Sequence, residues 1–207
     1  MQRLKHLAAP AVVTLSILLI ASVAINIRLS RSLGSADRVI NQMAGWSLVA
    51  AATSLSPAQR HLADAAELQK PDDCTIHLIL ADQALAEFDE FVRLAAKDMP
   101  RDPEGNLLSV LSRTLYNAMK EAQLHTEPET MLELSRAVDA LSETLLPFGN
   151  RLLAQPQDKV GRDDLYRELA ETVVQQLRER GMWEFVLDFA PREQLSATLE
   201  TLEISRD

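Results

Sequence analysis

Cysteine is almost missing from this 207-residue chain: Cys74 stands alone. No internal disulfide can form, and neither a cysteine-rich zinc site nor a CxxC redox pair is available. The body must be held by its core. Glycine is scarce at six residues, against an average usage of about 7%. None forms the Gly-rich loop that cradles phosphate. Only nine residues are aromatic, too few to line a sugar cleft beside paired carboxylates. No Glu-x-x-His occurs, which disfavours a ferritin-like di-iron bundle. Positive charge is also in deficit. After residue 27 the chain carries 19 Lys and Arg against 30 Asp and Glu, a net charge of −11. Such a surface repels phosphate backbones and anionic headgroups, so the expectation is no nucleic acid partner.

Charge of either sign is absent from Leu7 to Ile27. At about 1.5 Å per residue this run is long enough for the hydrocarbon layer of a bilayer. Pro10 falls in its first turn, where a missing N–H costs little. The alternative is a secretory signal peptide with Ser22 and Ala24 as its cleavage pair. The apolar run exceeds the usual signal core of about 7–15 residues, which favours an uncleaved anchor. The sequence therefore divides into a tail over 1–6, a transmembrane signal anchor over 7–27 and a helical body over 28–207. Flanking charges are nearly balanced: Arg3 and Lys5 before, Arg28, Arg31 and Arg38 after. The short tail favours an anchor that exports the body, and a cell-membrane, single-pass protein with an extracytoplasmic body is expected.

The body reads as all-α, an up-and-down antiparallel bundle of about six helices. No charge occurs between Arg38 and Arg60. Polar residues such as Asn41, Gln42 and Thr53 make this stretch a poor second span. Its small residues suit a central helix packed closely, and its neutrality suits a homodimer contact. Ser56-Pro57-Ala58-Gln59 reads as a capping box that starts a new helix or a kinked continuation to Gln69. Residues 70–75 read as a break.

Three heptad-like seams follow: Leu78 to Met99, Leu108 to Ala122 and Met131 to Leu152, each alternating steps of three and four. Thr126-Glu127-Pro128-Glu129 reads as the start of the third, and Pro147 should kink or end it near Leu146. The longest linker is expected over 154–163. Leu165, Leu169, Val173 and Leu177 make a further stripe up to Gly181, a candidate C′ residue. Residues 182–190 alternate in a strand-like way, but helical context favours helix. Pro191 opens a last helix with Leu195, Leu199 and Leu202 on one face.

Candidate sites are few. Asp72, Asp73, Cys74 and His77 form the most metal-like cluster, but no second pair completes it; Asp72 and Asp73 also suit a helix N-terminus. His61 and Asp64 share a helix face, again short of ligands. His125 reads as a helix-end residue. Glu87, Asp89 and Glu90 read as a solvated face, with Asp89 able to pair with Arg93. No catalytic, cofactor or metal assignment follows. Trp183, Phe185 and Phe189 lie within seven residues. They read first as a cap on the core and second as a docking patch for a protein partner.

The architecture loosely resembles the helical input domains of bacterial transmembrane receptors, which continue into a second span and an output domain. This chain ends at Asp207 with neither, so any output is expected through an unknown partner. The functional expectation is a membrane-anchored, non-catalytic interaction or scaffold module, held in the lipid bilayer by residues 7–27. The alternative is a sensor bundle that binds a small ligand near Ala50 and Ala51.

Overall fold

The computed structural model describes residues 36, 38–68, 71–98, 103–125, 127–154 and 159–201. The proposed anchor over 7–27 lies outside them. The chain divides into two units, Met1–Val39 and Ile40–Asp207. In the first, residues 36, 38 and 39 are described, and all are helical. The regular elements among the described residues of the second are all helices: α1 (residues 40–67), α2 (Pro71–Asp98), α3 (Pro103–His125), α4 (Pro128–Ala154), α5 (Lys159–Glu179), α6 (Trp183–Phe189) and α7 (Arg192–Thr201). No helix of the described residues is long and apolar enough to cross a membrane.

The heptad seams become the core. Leu78, Ala81, Leu85, Phe88, Val92 and Ala95 of α2 are buried, as are Leu108, Leu111, Leu115, Ala118 and Ala122 of α3. So are Met131, Leu134, Val138, Leu141, Leu145, Phe148 and Leu152 of α4. Contacts close a ring of four helices. Cys74 of α2 reaches back to Ala65 of α1. Then α2 packs on α3, and α3 on α4. Finally α4 returns to α1 through Ser142 and Ala52. Beyond the ring, α5 lies against α3 and α4, and α6 and α7 lie against α3.

The α1–α4 contact has a register the heptads did not announce. Gly45 lies against Gly149, the Ser142 hydroxyl donates to the Ala52 carbonyl (2.9 Å), and the Ser135 hydroxyl donates to the Gln59 carbonyl (3.1 Å). Each step of seven along α1 meets a step of seven back along α4, so the two are antiparallel. The approach is close. A Cβ added to Gly45 would sit 2.9 Å from Leu153 Cγ and 3.0 Å from the Gly149 carbonyl oxygen. The small residues of α1 thus bring backbones together.

Local punctuation narrows the expectations. Of the two outcomes expected at Ser56-Pro57, a new helix or a continuation, α1 takes the second and runs through it. Pro147 does not end α4, which runs on to Ala154. Both prolines are exposed. The local cost of an interior proline, about 3 kcal/mol, is offset where the flanking turns are buried against neighbours, as Gly149 is against α1. The break expected over 70–75 is shorter, because α2 already begins at Pro71, the first-turn position that tolerates proline. By contrast, Gly181 is the expected C′ residue. Its φ is +70°, its N–H donates to Arg178 O (2.9 Å), and the Met182 N–H donates to Leu177 O (2.7 Å), a Schellman closure of α5. The strand-like stretch after it folds as α6.

Candidate functional site

Two features of α1 stand apart from the core. The first sits where α1 and α2 face each other across the break near residue 69. Along α1, His61 and Asp64 are one helical turn apart. On α2, His77 lies as far after Gln69 as His61 lies before it, so antiparallel pairing sets the two rings together. His61 Nδ1 and His77 Nδ1 are 3.3 Å apart, and the rings are tilted 60° to each other with centroids at 5.4 Å. His77 Nδ1 is 3.6 Å from Asp64 Oδ2. The three ligand atoms lie within 4.8 Å of one another; His61 and His77 are half-buried, and the Asp64 side chain is the most open of the three.

The set cuts across both clusters expected from spacing. His77 joins His61 and Asp64 rather than Cys74. The Cys74 thiol is buried and turned to the carbonyls of Ala65 (3.3 Å) and Leu68 (3.6 Å). Asp73 is exposed, and the side chain of Asp72 lies outside the described residues. Spacing within one helix could not show the junction. The signal that could have found it is the break itself: in a hairpin, residues equidistant from the turn face each other.

The second feature is the outer face of α1. Met43 and Trp46 are 55% and 64% exposed. Continuing in steps of four and three, Ala50 is half-buried, and Thr53 and Pro57 are exposed. This seam lies within the charge-free stretch, opposite the face that meets α4. Of Ala50 and Ala51, where a sensor pocket was expected, Ala50 is half-buried and Ala51 is fully packed.

The remaining candidates are embedded in packing or surface pairs. Trp183 and Phe185 are each 5% exposed and belong to the core, and Phe189 packs at its margin, 4.9 Å from the Phe185 ring. The Arg178 guanidinium lies over the Trp183 ring. His125 pairs with Glu121 one turn earlier (3.1 Å) and is exposed. Asp89 does pair with Arg93 (2.6 Å), but it is not merely solvated: it accepts a hydrogen bond from the buried Ser112 hydroxyl of α3 (2.6 Å). Between α4 and α5, Arg151 binds Glu168 through two hydrogen bonds (2.6 and 2.9 Å). The hydrogen bonds from Arg151 hold the Glu168 carboxyl below its ordinary range. Arg180 bridges Asp139 (2.9 Å) and Glu143. Burial opposes its charge, but the bonds to both carboxylates outweigh that and raise its pKa.

No family model, curated protein or solved structure matches this chain.

Proposed function

We propose that this protein is a membrane-anchored, non-catalytic interaction module that self-associates through the outer face of α1. Residues 7–27 hold it in the bilayer, with its body outside the cytoplasmic membrane. The supporting observation is the exposed Met43–Trp46 seam on a helix with no charge between Arg38 and Arg60. A tryptophan exposed to this degree on a helical surface is a strong candidate anchor for a contact.

A second copy of this chain is the occupant that charge favours. The body is strongly acidic, so two copies repel each other over most of their surface. The α1 seam is where they can meet without opposing carboxylates. Its residues follow the three–four spacing by which two helices pack along a shallow crossing. Confinement of both copies to one bilayer raises their effective concentration, so a modest seam suffices.

The test is oxidative crosslinking of the full-length protein in its own membrane. Thr53→Cys, on the same seam with Trp46 kept, is compared with Glu171→Cys on the exposed side of α5. The buried Cys74 stays in place and is silent. Thr53→Cys should give a covalent dimer, and Glu171→Cys should not. Trp46→Glu should abolish dimer sedimentation of the detergent-solubilised protein with an unchanged melting temperature. Equal crosslinking at both positions, with a monomer by sedimentation, overturns the proposal.

A further inference from the structure

We propose that His61, Asp64 and His77 form a binding site for a divalent transition-metal ion of the zinc type, clasping α1 to α2. The inference is independent of self-association through the Met43–Trp46 seam.

The geometry carries it. A zinc ion bonds imidazole nitrogen and carboxylate oxygen at about 2.0–2.2 Å, so tetrahedral ligand atoms stand roughly 3.3–3.5 Å apart. The His61–His77 Nδ1 pair at 3.3 Å and the His77 Nδ1–Asp64 Oδ2 pair at 3.6 Å match two such edges. The third edge lies within 4.8 Å. Asp64 is half exposed, so its carboxylate is free to close that edge by rotation. The tilt of the rings suits two imidazoles radiating from a shared centre rather than stacking.

The chemistry selects the ion. Two neutral imidazoles and one carboxylate suit zinc and its neighbours in the first transition row. Magnesium and calcium prefer oxygen cages and should not bind here. Three protein ligands leave one position of a tetrahedron for water. The ligands come from two helices joined by the break near residue 69, so an ion at this point cross-links the hairpin. Binding the folded state alone, it raises the unfolding temperature with metal concentration.

The purified full-length protein, without a histidine tag, is titrated with Zn²⁺ and then Co²⁺. The chain has four histidines, which makes ring-nitrogen NMR a direct readout. Zinc should shift the His61 and His77 resonances, leave His125 unmoved and bind as a single ion per chain. Cobalt should give the intense visible bands of a tetrahedral ligand field, and Mg²⁺ should change nothing. His61→Gln, Asp64→Asn and His77→Gln should each weaken Zn²⁺ binding by more than about 100-fold, beyond the usual loss for an outer-shell partner. His125→Gln and Cys74→Ser should leave it intact. An unaltered His61 and His77 spectrum at saturating zinc overturns the proposal whatever the variants do. So does zinc binding that survives all three ligand substitutions.

Discussion

Gly149 and Gly181 are both glycines for reasons of space, but the space is of different kinds. At Gly149 a Cβ would meet Val49 Cγ2 at 2.8 Å and backbone atoms of Gly45 and Val49 at 3.0 Å. Gly149→Ala therefore has to push α1 away from α4, and it should cost about 1–3 kcal/mol, the range for overpacking. At Gly181 nothing lies within 4 Å, but φ is +70°. Gly181→Ala should cost about 1 kcal/mol from backbone strain alone. Urea unfolding of the two variants separates the causes: Gly45→Ala, which meets the same α1–α4 contact, should add its full cost to Gly181→Ala and less than its full cost to Gly149→Ala, where α1 has already been pushed away. Asp89 makes a third residue-scale case. Asp89→Ala strands the buried Ser112 hydroxyl and should cost about 1–3 kcal/mol, whereas the double variant with Ser112→Ala should recover part of that. If Asp89→Ala is neutral in a thermal melt, the acidic run is only a solvated face.

Helix α4 meets three neighbours, α1, α3 and α5, through three kinds of surface. Its Leu and Phe seam was legible as a heptad. Its second seam, Ser135, Ser142 and Gly149, was not, since small and hydroxyl residues at seven-residue spacing look polar until a close helix makes them an interface. Its third side is ionic. Arg151–Glu168 is about half exposed at both ends, so a double-mutant cycle with Arg151→Gln and Glu168→Gln should give no more than about 1 kcal/mol at pH 7. The Glu168 pKa is lowered in the folded state, mainly by the hydrogen bonds from Arg151. The coupling is therefore fully present above the unfolded carboxyl pKa of about 4.3 and is lost as pH falls through the folded value. The same cycle repeated in strong acid should give no coupling. Persistence there would mean that Glu168 acts through packing and not through charge.

At the scale of the whole molecule, α6 and α7 close the bundle over α3. The Asn117 side-chain amide donates to Phe189 O (3.0 Å), and Arg113 donates to the Gln194 side chain (2.9 Å). Trp183, Phe185, Val186, Leu195 and Leu199 are buried. Losing one large aromatic from a core costs about 3–5 kcal/mol, a large part of the 5–15 kcal/mol that holds a domain together. Removal of residues 182–207 should therefore collapse the thermal transition of the remaining chain. A truncated protein that melts as the full chain does, but no longer recovers a partner from the membrane, would instead make these aromatics a docking patch.

What the sequence determined by itself is periodicity: the all-helical body, the apolar stripes that became the core, and the glycine stop at Gly181, because each is written in residues close along the chain. Tertiary structure decided the rest. It carried α1 through Pro57 and α4 through Pro147, since packing on both sides outweighs a local penalty. It also placed His77 beside His61 and Asp64, since that meeting depends on how α2 folds back on α1 and on no spacing within either helix. The scarcity of cysteine had excluded a cysteine-built metal site, and the hairpin assembled a histidine and carboxylate set in its place.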